Sequence, residues 1–141
     1  MLDREQIKAI IPHREPMLLV DGVEELAPGQ RAKGWLDVTD DMFWCVGHFP
    51  GNPVMPGVLI VESMAQLGAV VMLSCDTYRG KIAYFGGIKN ARFRRKVLPG
   101  DRLRLETQID RVLGPVGTGT GKAYVGDELA ASCELSFFIG E

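Results

Sequence analysis

His48-Phe49-Pro50-Gly51-Asn52-Pro53-Val54-Met55-Pro56-Gly57 runs directly into Val58-Leu59-Ile60-Val61-Glu62-Ser63-Met64-Ala65-Gln66-Leu67-Gly68-Ala69-Val70-Val71-Met72-Leu73-Ser74-Cys75, and this stretch decides the fold. Three prolines stiffen the loop, and the apolar run behind it has the length of a helix rather than a strand. Of the 27 residues between His48 and Asp76, only Glu62 carries a formal charge. A helix that is apolar nearly all round has to be enclosed on most sides. An ionisable group isolated within it is costly to desolvate, so it is paired, neutralised or used.

The rest of the chain supplies the enclosure. Asp3 is placed to cap a first helix, with Gln6 as the reciprocal half of a capping box. Ile7, Ile10 and Ile11 form its apolar face, and Pro12 ends it. Residues 17–20 predict a buried strand continuing past Gly22, before Pro28-Gly29 turns the chain. Over residues 31–38, Ala32, Gly34, Leu36 and Val38 alternate with Arg31, Lys33, Trp35 and Asp37, the period of a strand. Thr39-Asp40-Asp41 then caps a short turn carrying Met42, Phe43 and Trp44.

The central helix is expected to begin at Gly57 and stop near Arg79-Gly80. Residues 82–88 predict a central strand with a bulge or close backbone approach at Gly86-Gly87. Residues 91–97 predict another strand, closed by the turn Pro99-Gly100-Asp101. Leu103, Leu105, Thr107 and Ile109 alternate with Arg104, Glu106, Gln108 and Asp110, the clearest strand pattern in the chain. Gly117-Thr118-Gly119-Thr120-Gly121 has the composition of a phosphate loop but neither its strand–loop–helix setting nor its Ser/Thr after Lys122, so it reads as a flexible hairpin loop. A last strand follows over residues 129–139. These elements predict a single α+β domain over residues 1–141, a curved antiparallel sheet of about six strands wrapped around one long central helix.

The bulk properties exclude several function classes. A chain of 141 residues, 46% hydrophobic and 24% charged, matches one globular domain with a sizeable core. A net charge of −2 gives no global reason to expect nucleic acid. Cys45, Cys75 and Cys133 are odd in number and lack Cys-x-x-Cys spacing, which argues against a disulfide framework or zinc site and for a reducing compartment. The N-terminus has no basic-then-apolar layout, and a cytoplasmic protein is expected. Residues 54–75 approach the length of a membrane span, but Pro56, Gly57, Glu62 and Gln66 interrupt them and no Lys or Arg flanks them. A helix buried in protein is the better reading.

The chemistry centres on the same stretch. Glu62 lies about 7.5 Å along the helix axis from Gly57. Gln66, four residues on, shares its face and is placed to hydrogen-bond the carboxyl. By its surroundings alone, Glu62 is either a functional acid or a structural carboxylate that reaches a buried arginine or an interface edge. His48 leads through the constrained loop to the helix start, where free N–H groups suit a carbonyl gaining negative charge. Alone, a histidine is as readily a surface or core residue. Together the three features fit proton abstraction beside a carbonyl. His13 has no comparable context and reads as structural. Lys89, Arg92, Arg94, Arg95, Lys96, Arg102 and Arg104 form a basic cluster, either a solvated strand face or a docking patch for an acidic partner.

The loop from His48 to Gly57, with Glu62 and Ala65-Gln66 behind it, resembles the signature of the bacterial (3R)-hydroxyacyl-[acyl carrier protein] dehydratases of type II fatty acid synthesis. The likeness extends to Pro12-His13-Arg14 with Leu18-Leu19-Val20-Asp21, to Phe85-Gly86-Gly87-Ile88 with Ala91-Arg92-Phe93-Arg94-Arg95, and to Val97-Leu98-Pro99-Gly100-Asp101. The resemblance implies a hotdog fold and a homodimer, usually assembled into a hexamer (a trimer of dimers), with two active sites at each dimer interface. It implies that His48 is the catalytic histidine and Glu62 the catalytic acid, contributed by opposite subunits. The Gly57 amide would bind the thioester carbonyl, with Val58, Gln66 and Phe85 as further substrate contacts. Glu62 in place of an aspartate points to the branch that dehydrates without isomerising.

The implied partner is acyl carrier protein bearing a phosphopantetheine-linked acyl chain. It is acidic, so Lys89, Arg92, Arg94, Arg95 and Lys96 gain a docking role. No metal or organic cofactor is implied, nor any nucleic acid or membrane. The acyl chain needs an apolar tunnel, and Met64, Leu67, Val71, Phe85 and Ile88 either line it or belong to the plain core. A hotdog thioesterase and a non-catalytic acyl-binding module are the alternatives, disfavoured by the His-Phe-Pro-Gly-Asn-Pro loop and by the presence of both His48 and Glu62.

Overall fold

Asp3 opens the first helix, α1 (Arg4–Lys8), through the capping box expected of it. Its side chain accepts from the Gln6 N–H while the Gln6 side chain accepts from the Asp3 N–H. Ile7 and Ile11 are buried beneath it. The computed structural model describes all 141 residues. After α1 come β1 (Gly22–Ala27), β2 (Arg31–Asp37), α2 (Gly57–Leu73), a 3-10 turn (Asp76–Tyr78), β3 (Ile82–Phe93), β4 (Arg102–Leu113), β5 (Val116–Val125) and β6 (Glu128–Gly140).

The six strands form one antiparallel sheet in the order β1-β2-β4-β5-β6-β3, which leaves β1 and β3 at its edges. The sheet curves around α2, which touches five of its strands. Met64, Leu67, Val70 and Val71 of α2 meet Leu103 and Leu105 of β4 and Ala123 of β5, all fully buried. Each such Leu or Met side chain contributes about 1.5–3 kcal/mol by leaving water. Thr107, the polar member of the inward face of β4, donates its hydroxyl to the Met64 carbonyl at 2.8 Å, so its burial leaves no unpaired donor. No helix is long and apolar enough to cross a membrane.

Four elements differ from the sequence expectation. Residues 17–20 are not a strand. Leu18, Leu19 and Val20 are buried, but the Leu19 N–H and the Met17 carbonyl are taken by the side-chain amide of Gln66, each at 2.7 Å, so no neighbouring strand is needed until Gly22. The helix α2 ends at Leu73, short of Arg79-Gly80, because Ser74-Cys75-Asp76-Thr77 offers no apolar face to bury. The strands expected over residues 82–88 and 91–97 are one long strand, β3, which stops at Phe93, so residues 94–97 lie outside it. Its register shifts between Phe85 and Gly87, where Gly86-Gly87 signals it, and again between Lys89 and Arg92, where Asn90 has φ 52°.

The fourth difference is the largest. Residues 117–121 are not a flexible loop but half of β5, paired on both sides with β4 and β6. Gly117, Gly119 and Gly121 face inward and are buried, while Thr118 and Thr120 alternate with them. A Cβ on Gly121 would stand 2.9 Å from the Met64 Cβ, and one on Gly117 would strike the Phe137 ring. The glycines are there for close approach to α2 and to the neighbouring strand, not for mobility.

Candidate active site

The helix α2 begins at Gly57 behind Pro56, without a side-chain cap. The Leu59 and Ile60 N–H groups turn back to the Pro56 carbonyl, which leaves the Gly57 and Val58 amides with no acceptor in the chain. A Cβ on Gly57 would come within 2.9 Å of the Phe93 ring, so only glycine lets β3 close over the helix start. Val58, next along, is 75% exposed. His48 lines the same cleft as Gly57, together with Phe93, Arg94, Arg95 and Lys96. Its Nδ1 lies 2.7 Å from the Val54 carbonyl, which can only accept, so Nδ1 carries the proton. The lone pair of the neutral ring is therefore at Nε2, the arrangement of a general base held in one tautomer.

Glu62 sits in a different recess, between α2 and the sheet. The side-chain amide of Gln66 donates to Glu62 Oε2 at 2.7 Å, as the i+4 spacing predicts. The amide cannot turn over, because its oxygen is needed by the Leu19 N–H and its nitrogen by the Met17 carbonyl. One face of α2, made of Glu62, Ala65, Gln66, Ala69 and Met72, lines this cavity, and Phe85, Ile109, Gly119 and Phe137 wall it from four strands. Small side chains at Ala65, Gly68 and Ala69 keep it open. From Glu62 to Met72 it follows ten residues of helix, about 15 Å.

His13 lines this cavity as well, with Nε2 3.6 Å from Glu62 Oε2. This position adds to its structural reading a place beside Glu62, which no local spacing could show. The segment carrying it is fastened to α2 by Gln66, forty-seven residues from Leu19 in sequence. Burial pushes the His13 imidazole below its usual range, with the Glu62 charge opposing that shift and the Arg14 charge adding to it.

The structure thus brings together His48 with Gly57, and Glu62 with Gln66 and Phe85, but within one chain the two groups line separate recesses. Of the two readings of the tunnel residues, the core one holds for most. Met64, Leu67 and Val71 are fully buried in the core on other faces of α2, and Ile88 is 49% exposed, so of the five only Phe85 lines the cavity. In the basic cluster, Arg95 stands 3.8 Å from Asp101 and 3.6 Å from Glu128, and Arg102 holds Asp37 through two bonds. Lys89, Arg92, Arg94 and Lys96 are exposed and have no acidic partner in the chain.

A family model described as the FabA-like domain matches residues 11–134. The chain belongs to this family. Among curated proteins, the FabA-like chain is 56% identical over 137 residues to the 3-hydroxyacyl-[acyl-carrier-protein] dehydratase FabZ of Clostridium novyi, covering 97% of this chain and 96% of that one. It is 53% identical over 141 residues to the enzyme of the same name from Bacillus subtilis, covering all of both. Among solved structures, a chain of the dehydratase heterocomplex ApeI:P from Xenorhabdus doucetiae superposes with a TM-score of 0.82 at 16% identity, over 96% of this chain and 91% of that one. The FabA-like fold is therefore the expected hotdog arrangement, with the sheet as the bun and α2 as its filling.

Proposed function

We propose that the chain removes water from a (3R)-3-hydroxyacyl group carried as a thioester on acyl carrier protein, giving the trans-2-enoyl thioester of fatty acid biosynthesis. It is a hydro-lyase. One observation carries this reading above the rest: dehydratases 53% and 56% identical match the chain along essentially its whole length. The 141 residues act as one domain.

The residues suit the chemistry. His48, with its lone pair at Nε2, removes a C2 proton. The free amides at the start of α2, Gly57 first, stabilise the negative charge that develops on the thioester oxygen. Glu62 gives a proton to the departing 3-hydroxyl, and the C3–O bond breaks as the C2=C3 bond forms. One proton is taken and one given, and exchange with solvent restores both groups. The acyl chain lies along the Glu62–Met72 face of α2, against Phe85.

The separation of the two recesses in one chain fits a homodimer in which His48 of one subunit meets Glu62 of the other, with trimers of dimers beyond it. The edge position of β3 supports this reading, because Phe85, Ile88 and Phe93 on it are 43%, 49% and 51% exposed. Lys89, Arg92, Arg94 and Lys96 are the free cations that would receive an acidic carrier protein beside the His48 cleft, while Arg95 acts mainly by holding Asp101 and Glu128. Three free thiols, with Cys133 pushed up to about 11 by burial, suit a reducing cytoplasm.

The test is turnover of 3-hydroxyacyl carrier protein with enoyl absorbance and free thiol followed together. Enoyl product without thiol is expected. Thiol without enoyl product would make the chain a thioesterase, and neither signal would make it a binding module. His48→Ala and Glu62→Gln should each fold and lose about 10²–10⁴ in rate. A folded variant with near-normal dehydration would reject the residue roles.

A further inference from the structure

We infer that His13 is a positioning residue for the acid. It works with Gln66 to clamp Glu62 by one oxygen, so that the other carries the proton used in the reaction. The inference rests on the assignment of Glu62 as the acid. Both contacts fall on the same atom: Gln66 Nε2 donates to Oε2 at 2.7 Å, and His13 Nε2 stands 3.6 Å from it. Glu62 Oε1 has no hydrogen-bond partner in the chain. The carbonyl oxygen of a carboxylic acid is its stronger acceptor, so with the amide N–H on Oε2 the carboxylic proton belongs on Oε1.

The imidazole is prepared for this part. Its Nδ1 is buried and has no partner, whereas Nε2 faces a carboxyl oxygen. Burial holds the ring neutral, and a neutral ring has one N–H to place. The acceptor at Nε2 draws the proton there, which makes Nε2–H a donor toward Oε2. At 3.6 Å the contact is longer than a hydrogen bond. Such contacts in a free enzyme commonly tighten when substrate is bound.

The loop is built to hold the ring in place. Arg14 donates to the carbonyls of Ile11, His13 and Lys8, at 3.0, 2.7 and 3.0 Å, and so ties the end of α1 to the residue that carries the imidazole. The same loop is joined to α2 by Gln66 through Met17 and Leu19. Pro12-His13-Arg14 thereby acquires a purpose in the reaction, which its sequence context does not reveal.

Two polar substitutions separate this role from simple packing. The amide nitrogen of glutamine takes roughly the place of His13 Nε2, and that of asparagine roughly the place of Nδ1. We expect His13→Gln to keep most of the wild-type kcat. His13→Asn should lower kcat about tenfold or more with KM changed by less than about twofold. Both should melt close to the wild type, because the side chain is partly exposed. Equal kcat for the two variants, at either level, would overturn the inference, as would a loss in His13→Asn that appears in KM alone. Glu62→Gln run beside them tells the two claims apart. If it keeps near-normal turnover, the assignment of Glu62 fails. If it is inactive while His13→Asn is not, only the part given to His13 fails.

Discussion

Replacing Gln66 by leucine tests how the site is built into the fold. The side chain fills similar space but deletes three bonds at once, to the Leu19 N–H, the Met17 carbonyl and Glu62 Oε2, each 2.7 Å long. Leu19 is 2% exposed, so its N–H has no water to turn to. A buried donor left unpaired costs about 1–3 kcal/mol. Met17 is 41% exposed, and its carbonyl can find solvent at little cost. For a chain of this size each kcal/mol lowers the melting temperature by about 2–4 °C, so a fall of about 2–12 °C is expected. Losing the bond that holds Glu62 Oε2 should also lower kcat about tenfold or more. Thermal denaturation followed by circular dichroism reads the first effect, and enoyl absorbance the second. A Gln66→Leu protein that melts within about 1 °C of the wild type with unchanged kcat would refute the account of residues 17–20 and of the acid together.

Further outcomes follow from the same geometry. Ala69→Leu, placed about 10 Å along α2 from Glu62, should abolish turnover of long acyl chains while sparing four-carbon substrate. An unchanged chain-length profile would show that the acyl group lies elsewhere. Reversing both Arg94 and Lys96 to glutamate should depress turnover of carrier-bound substrate far more than that of a small thioester analogue, and equal losses would rule out docking there. At low pH, Glu15 matters. The Lys8 hydrogen bond, with help from Arg4, holds its carboxyl down at about 2 against an ordinary 4.5. A lowered value means that its contribution to stability is present above pH 4.5 and fades as the pH falls from there toward 2. The Glu15→Gln protein should therefore lose less stability than the wild type between pH 5 and 3, and parallel melting curves would contradict the pairing.

Local signals in the sequence were read correctly where a side chain declares its own surroundings. The Asp3–Gln6 capping box, the alternation from Leu103 to Ile109 and the proline-led start of α2 needed no tertiary information. The errors arose where a distant partner decides. Leu18 to Val20 read as a strand because they are apolar, but the Leu19 N–H and the nearby Met17 carbonyl are taken by a side chain from α2 and the Leu18 N–H by the Arg14 carbonyl. The glycines of β5 read as a loop because the atoms that require them, the Phe137 ring at Gly117, the Gln108 carbonyl at Gly119 and Met64 Cβ at Gly121, lie on other elements. The alternation of Gly with Thr was the available signal, a period of two whose inward members have no side chain. The place of His13 beside Glu62 is hidden for the same reason. Nothing within the Pro12-His13-Arg14 segment shows that it returns to face Glu62. The Glu62–Gln66 hydrogen bond was legible because the i+4 spacing on a helix sets the two side chains side by side.

The central claim is that His48 of one chain and Glu62 of another complete one site. It is tested most directly by co-expressing His48→Ala and Glu62→Gln, each inactive alone, and assaying the mixed assembly for enoyl formation. Random pairing into dimers should restore about one quarter of the wild-type sites, because each mixed dimer contains one with both groups intact. A mixture no more active than either variant by itself would contradict the account.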